Sequence, residues 1–310
     1  MTDTVHHGVV LSSAGGQWRV RVDGGEVALA SLRGRVKHGG DLKLAVGDRV
    51  TLSGDGAPAG AALTITGILP RTSQLSRRNP SGARGERIVA TNLDQVVVVF
   101  AMVRPEPNEA MLDRFLVIAE ANELAARIVI NKIDLADEAT ARARFDVYAT
   151  IGYPVHYTSK VTGAGLEALH EVLRGRTSAL SGPSGVGKSS LMNAMYPGLD
   201  LRVGAISDSV NKGRHTTVGA LMHPLPDVGY VVDTPGLREL GLWGLSSAAL
   251  DQCFPEFREA LGNCRFADCH HVSEPGCAVR ESVTDGGILR ARYDSYVKLR
   301  EEVAETEKLW

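Results

Sequence analysis

The stretch Gly182-Pro183-Ser184-Gly185-Val186-Gly187-Lys188-Ser189 fits the phosphate-loop pattern G-x-x-x-x-G-K-[ST]. Before it, Ser178–Ser181 predicts a short strand, and after it Ser189–Tyr196 has the spacing of a helix. This strand–loop–helix context distinguishes the motif from a glycine-rich turn with an exposed lysine. The stretch therefore predicts an α/β domain that binds a nucleotide.

The residue types of this loop suit a polyphosphate. Glycines allow backbone N–H groups to turn towards the phosphates, and the helix N-terminus adds the positive end of its dipole. We expect Lys188 to bind the β- and γ-phosphates as a catalytic residue, and the Ser189 hydroxyl to ligate Mg²⁺.

The base is indicated by Asn131-Lys132-Ile133-Asp134, which ends the predicted strand Arg127–Asn131 and matches N-K-x-D. An ionised Asp134 is an acceptor with two oxygens, and guanine offers two adjacent donors, N1–H and its exocyclic amine. Adenine lacks that pair and would leave the carboxylate unsatisfied. Asn131 can tie the loop together, and the stem of Lys132 can lie across the base.

A third base-contacting loop is predicted, more loosely, at Thr158-Ser159-Lys160, where a backbone N–H would meet guanine O6. Asn211-Lys212 begins a second N-K-x-D, but Arg214 occupies its fourth position and excludes it.

Two segments are candidates for nucleotide-sensing loops. Asp233-Thr-Pro-Gly236 fits D-x-x-G, in which Asp233 would hold Mg²⁺ through water and the Gly236 N–H would meet the γ-phosphate. Upstream, either Thr216 or Thr217 can complete the Mg²⁺ shell.

No glutamine follows D-x-x-G to orient water, because Leu237 occupies that position. We therefore expect slow hydrolysis that a partner accelerates. His215 is the nearest candidate for a catalytic replacement, since a neutral imidazole can accept a hydrogen bond from water; the alternative is a loop histidine that packs elsewhere.

The motif order is circularly shifted, because N-K-x-D precedes the phosphate loop and D-x-x-G comes last. Around the motifs, the alternation of helices and apolar strands, beginning at Gln95–Val103, predicts a doubly wound α/β domain over 92–245. Since D-x-x-G ends this domain, ordering of that loop would act on residues 238–260, which follow it.

Residues 1–70 hold short β-type runs between glycine turns and predict an OB-fold barrel. Residues 1–90 carry 12 Lys and Arg against 7 Asp and Glu, a basic excess that indicates RNA contact or only a solvated basic face. Residues 71–91, rich in Arg, Ser, Gly and Pro, predict a linker or mobile loop.

Three cysteines and a histidine follow in Cys264-x₄-Cys269-x-His271-x₅-Cys277. Such a set suits one tetrahedral Zn²⁺ and leaves no open position, so we predict a structural site in a zinc-binding domain over 246–310, with His270 as an alternative ligand. Cys253 stands apart and predicts a buried thiol. The final helix, Ile288–Glu305, has an apolar stripe that predicts core packing: Leu289, Tyr293, Tyr296 and Val297.

The chain has 310 residues, of which 44% are hydrophobic and 23% charged, as in a globular protein of two or three domains. No apolar run is long enough for a membrane span, and residues 1–8 lack a secretory leader. These features predict a cytoplasmic protein.

The motif order, the cysteine pattern and the N-terminal barrel together resemble the ribosome small-subunit-dependent GTPase A family over nearly the whole chain. The resemblance implies a permuted GTPase between an OB-fold and a zinc domain. It implies late maturation of the 30S subunit, contact with 16S rRNA and GTP hydrolysis stimulated by the subunit. It carries guanine and phosphate contacts to Asn131, Lys132 and Asp134 and to Gly182–Ser190, so that Ser190 joins the loop, and the zinc ligands to Cys264, Cys269, His271 and Cys277.

The N-terminal segment, residues 1–8, is short and not basic, whereas the family tends to have a basic tail there. We expect GTP and GDP as ligands, no membrane partner and a monomer. The leading hypothesis is a GTPase that times its release from the subunit by hydrolysis. The alternatives are a nucleotide-gated RNA-binding sensor with incidental turnover and a small-molecule kinase, which Asp134 disfavours.

Overall fold

The structure is a computed structural model that describes residues 4–32, 43–54, 63–78, 86–199, 201, 220–227, 229–233 and 245–307. No helix within these ranges is both long enough and apolar enough to cross a membrane.

The N-terminal part is a closed barrel in the strand order β1-β2-β3-β5-β4, which confirms the predicted OB-type barrel. Alternate residues point inwards, as the strand period requires, and bury a small core of Val10, Val20, Ala30, Val50, Leu52 and Ile65. The barrel strands are β1 (Thr4–Ala14), β2 (Gln17–Val22), β3 (Val27–Leu32), β4 (Arg49–Gly54) and β5 (Leu63–Ile68).

The expected linker at 71–91 contains an antiparallel pair, β6 (Gln74–Arg78) and β7 (Glu86–Thr91). Arg71, just before β6, donates from Nε to the buried Asp48 beside the barrel at 2.7 Å, and Thr91 donates to the same carboxylate at 2.9 Å. The polar composition predicted a loop, but these long-range bonds tie the segment to the barrel.

The central domain is a six-stranded sheet in the order β10-β9-β8-β11-β13-β12, parallel except for β12. β8 is buried along its whole length, as expected for a strand covered on both faces. The strands are β8 (Gln95–Ala101), β9 (Ala125–Asn131), β10 (Val155–Thr158), β11 (Thr177–Ser181), β12 (Leu221–Pro224) and β13 (Tyr230–Asp233).

Helices cover both faces of this sheet, which confirms the doubly wound architecture. Leu112 and Phe145 belong to the core on one face, and Leu173 and Leu191 to the core on the other. The helices are α1 (Glu109–Ala121), α2 (Glu138–Thr150), α3 (Leu166–Leu173) and α4 (Lys188–Met195).

The C-terminal part packs on α1 through a third core that includes Val117, Phe254, Phe257 and Tyr296. Its elements are the 3₁₀ helices Leu250–Cys253 and Pro255–Phe257, α5 (Ala278–Thr284) and α6 (Arg290–Glu307). The predicted stripe of the last helix needs a correction at Leu289, which is 38% exposed and precedes the helix, since α6 begins at Arg290, two residues after the predicted start.

The barrel also meets the sheet at its edge, where β1 contacts β12. The guanidinium of Arg21 on β2 lies 5.6 Å from the ring centroid of Tyr230 on β13. Burial, together with nearby Arg19, lowers the pKa of His223 on β12. The barrel thus packs beside β12, which follows residues 202–219, and β13, which ends at Asp233.

Candidate nucleotide and metal sites

Asn131, at the end of β9, joins two of the predicted motifs. Its side chain is 2% exposed, and its Nδ2 donates to the carbonyl of Val186 in the phosphate loop at 2.9 Å. Thr158, at the end of β10, donates to Asn131 Oδ1 at 3.2 Å. Three loops that are far apart in the chain therefore meet at one amide.

Lys132 makes a second connection between these loops. Its ammonium donates to the carbonyl of Gly185 at 2.6 Å and also to the carbonyl of Arg104, beyond the end of β8. Burial, together with repulsion from Lys160, lowers the pKa of Lys132. Arg104 was absent from the sequence-based site because a backbone carbonyl has no signature in the sequence.

Asp134 lies next to Ser159, as the interpretation of the third loop requires. The hydroxyl of Ser159 donates to Asp134 Oδ1 at 2.5 Å and accepts from the N–H of Val161 at 3.1 Å. Asp134 is exposed, whereas Ser159 is fully buried. The buried hydroxyl fixes one carboxylate oxygen beside the loop where a base would lie.

The phosphate loop depends on glycines at two positions. Gly182 has a φ of +125°, and a Cβ there would lie 1.9 Å from the carbonyl oxygen of Val99. Gly187 has a φ of +97°, and its Cβ would lie 2.6 Å from Asn131 Nδ2. The loop is therefore packed against β8 and β9 as closely as backbone allows.

Lys188 and Ser189 begin α4 and are both buried, at 8% and 5% exposure. The Lys188 ammonium turns back over the loop and donates to the carbonyls of Gly182 and Pro183 at 2.7 and 2.8 Å. Asp233 ends β13, which is paired with β11 before the loop. Burial raises the pKa of Asp233, and the positive charge of Lys188 opposes that effect.

Several predicted site residues lie outside the described residues, so their roles stay predictions. These are His215, Thr216, Thr217, Gly236 and Leu237.

The predicted metal ligands come together: one ligand atom from each of Cys264, Cys269, His271 and Cys277 lies within 4.8 Å of the others. The sulfurs of Cys264 and Cys277 are 3.9 Å apart, and His271 Nδ1 lies 3.5 and 3.4 Å from them. A tetrahedral ion with thiolate and imidazole ligands has S–S and N–S edges of roughly 3.8 and 3.6 Å. The four residues therefore fit a tetrahedral metal ion.

The local backbone favours the thiolate at Cys264, whereas burial raises the pKa of the Cys269 and Cys277 thiols. Burial opposes ionisation of Cys264, but hydrogen bonds from the N–H groups of Ala278 and Val279 in α5 lower the pKa of its thiol overall. The alternative ligand His270 is outside the cluster and exposed. Cys253 is 5% exposed, and burial raises the pKa of its thiol to about 12, which confirms the predicted buried thiol.

Three side chains outside the ligand pattern hold the ligand loop. Asp251 Oδ2 lies 3.3 Å from Nε2 of His271. On α6, the hydroxyls of Tyr293 and Tyr296 donate to the carbonyls of His271 and His270 at 2.8 and 2.9 Å. The stripe predicted the burial of both tyrosines but not their hydrogen bonds, since periodicity reports only which face is buried.

Comparison with known proteins agrees with this geometry. A profile described as RsgA GTPase matches residues 68–243. The chain is 61% identical over 298 residues to the Small ribosomal subunit biogenesis GTPase RsgA of Gemmatimonas aurantiaca, covering 96% of this chain and 97% of that protein. It is 36% identical to the protein of that name from Bacteroides fragilis, with 96% and 97% coverage.

Two solved structures share the fold over nearly all of the chain. The crystal structure of YjeQ from Thermotoga maritima has a TM-score of 0.80 at 37% identity, with 97% of this chain and 99% of that chain covered. YloQ, described as a circularly permuted GTPase, has a TM-score of 0.75 at 30% identity, with 98% and 96% covered. With its barrel, its shifted motif order and its cysteine–histidine cluster, the chain belongs to the RsgA GTPase family.

Proposed function

We propose that this protein is a GTPase that binds the small ribosomal subunit late in its maturation, hydrolyses GTP on contact with it and is then released. The observation that carries the proposal is the bond from Asn131 to the Val186 carbonyl, which joins the guanine-selecting loop to the phosphate loop. One guanine nucleotide can then contact both loops at once. The family relationship supplies the ribosomal partner, since the relatives are named for small-subunit biogenesis.

In this proposal the Asp134 carboxylate accepts from the two guanine donors, and the Ser159 hydroxyl holds its Oδ1 in place. Asn131 and Lys132 keep the base loop on the phosphate loop. The phosphates contact residues Gly182 to Ser190, with Lys188 supplying the charge. Ser189, Asp233 through water and one of Thr216 and Thr217 would hold Mg²⁺, which neutralises phosphate charge, and Gly236 would meet the γ-phosphate.

Turnover by the protein alone is expected to be slow because Leu237 cannot orient water. His215 is proposed as the group that the subunit brings into place.

The metal is proposed to be one structural Zn²⁺. Three thiolates with one imidazole are typical of zinc, and four protein ligands leave no position for a substrate.

The proposed domains are the barrel over 1–70, the connecting segment 71–91, the GTPase over 92–245 and the zinc-binding domain over 246–310. The basic excess of the first 90 residues supports contact with 16S rRNA. The protein is proposed to act as a monomer in the cytoplasm.

The test is GTP turnover by the full-length protein with and without purified small subunits. Stimulation of at least tenfold is expected for wild type, and Lys188→Ala is expected to remain slow in both conditions. Large subunits serve as the partner control. Unchanged turnover with small subunits would favour the alternative, a nucleotide-gated RNA-binding sensor. Equal use of ATP would overturn the guanine assignment.

A further inference from the structure

The carboxylate of Asp251 contacts a predicted metal ligand from outside the ligand loop. Its Oδ2 lies 3.3 Å from Nε2 of His271, whereas Nδ1 of the same ring faces the sulfurs of Cys264 and Cys277. The His271 side chain is only 4% exposed and that of Asp251 18%. An imidazole carries one proton when neutral, so an acceptor at Nε2 directs the proton there and leaves the Nδ1 lone pair for a metal.

Asp251 is on a short element whose buried residues, Leu250 and Cys253, face the nucleotide-binding domain. The 3₁₀ helix Leu250–Cys253 contacts α1, and Leu250 and Cys253 are buried in the same core as Val117 of α1. Leu250 is 0% and Val117 0% exposed. The helix thus packs on α1 through Leu250 and Cys253, while Asp251 reaches the metal site.

We infer that Asp251 is a positioning residue for the metal site, and that its 3₁₀ helix must be packed on α1 for His271 to be held ready for the ion. The inference depends on the proposed Zn²⁺ site and goes beyond it, since it makes metal affinity a property of the contact between two domains. Linkage then works in both directions: an ion bound to the site stabilises the packing of this helix on α1.

This helix follows the nucleotide-binding domain closely in the sequence. Residues 234–249 connect Asp233, at the end of β13, to Leu250. Among the described residues, this 3₁₀ helix is the first element after the predicted D-x-x-G loop. It contacts α1, and its Asp251 contacts His271 in the metal loop.

The test measures zinc affinity of the full-length protein by competition with a chromophoric chelator. Asp251→Ala is expected to weaken zinc binding by about 10- to 100-fold, the range found when partners of ligating histidines are removed. Asp251→Asn keeps an acceptor oxygen without the charge and is expected to fall between wild type and Asp251→Ala. Asp268→Ala removes an exposed carboxylate between two ligands and is the matched control, with wild-type affinity expected.

A second variant tests the packing. Leu250→Ala keeps the carboxylate but loosens the contact with α1, and it is expected to weaken zinc binding in the same direction. The absorption spectrum of the Co²⁺-substituted protein reports whether His271 still coordinates; it is expected to change in Asp251→Ala and not in Asp268→Ala.

The outcomes separate this inference from the zinc assignment. Failure of wild type to bind zinc would contradict the metal site itself. Zinc binding by Asp251→Ala or Asp251→Asn as tight as by Asp268→Ala would overturn the role of Asp251. An effect of Asp251→Ala with none from Leu250→Ala would overturn the dependence on packing against α1.

Discussion

Arg292 on α6 donates from Nη1 to Asp113 Oδ1 on α1 at 2.7 Å, and both side chains are only 2% exposed. The same guanidinium donates from Nε to Glu256 at 2.6 Å. The hydroxyls of Ser295 and Tyr148 donate to Asp113 at 2.5 and 2.9 Å. At the contact between the central domain and the C-terminal part, one cation therefore satisfies two buried carboxylates.

Replacing Arg292 by Met is expected to destabilise the protein by about 3–5 kcal/mol, since it leaves two buried carboxylates without their cation. Arg290→Ala is the control: its pair with Asp294 is exposed on the same helix and is worth about 0.3–0.5 kcal/mol. The measurement is urea denaturation followed by tryptophan fluorescence. Equal midpoints for the two variants would mean that the buried network contributes no more than an exposed pair.

Gly182→Ala is expected to abolish nucleotide binding, because the added Cβ would lie 1.9 Å from the Val99 carbonyl oxygen and the phosphate loop would have to move away from β8. Gly175→Ala provides a matched control, with a φ of +66° and no atom within 4 Å of the added carbon. That variant bears only the backbone strain, about 1 kcal/mol. Binding of a fluorescent GDP analogue distinguishes them, and retained binding by Gly182→Ala would contradict the assigned packing.

Asp134→Asn is expected to weaken GDP binding by at least about 100-fold, since two hydrogen bonds to a charged acceptor are lost at about 1.5–3 kcal/mol each. Xanthine has a carbonyl where guanine has its exocyclic amine, so the Asn amide can donate to it, and the variant should prefer xanthosine diphosphate. Titration of both nucleotides measures the change. Glu167→Gln, an exposed carboxylate on α3, is the control. Unaltered preference for GDP would contradict the role of Asp134.

Asp233→Asn is expected to raise the melting temperature while removing Mg²⁺-dependent nucleotide binding. Burial raises the pKa of Asp233, so the native state holds its proton more tightly than the unfolded state does. The ionised carboxylate therefore costs stability at every pH above its raised pKa, and an amide avoids that cost. The gain should be present at pH 7 and shrink as the pH falls below the raised pKa, which thermal melts across pH would show. A lower melting temperature for the variant than for wild type at pH 7 would contradict the stability cost of the ionised Asp233 carboxylate.

Motifs that consist of neighbouring residues could be predicted from the sequence. The phosphate loop, Asn131–Asp134 and the Cys264–Cys277 pattern each owe their geometry to a few consecutive residues, and the structure brings the described members of each together. Hydrophobic periodicity likewise predicted the sheet and its flanking helices, because a strand or helix buried on a given side must be apolar there.

Contacts that depend on distant residues could not be predicted. Asp251 precedes its partner His271 by 20 residues, and Asp113 precedes Arg292 by 179, with nothing local to mark either pair. The strands β6 and β7 were missed for a related reason. Their sequence is polar, and the bonds from Arg71 and Thr91 to Asp48 that hold them come from another part of the chain.

The packing of β1 beside β12 also has a consequence for solubility. β12 is the last strand of its sheet, and an uncovered strand of this kind offers unpaired N–H and C=O groups to any other chain. The barrel occupies that side. A shortened protein that begins after the barrel would expose the edge of β12 to other copies of itself. We expect it to self-associate through strand pairing between molecules.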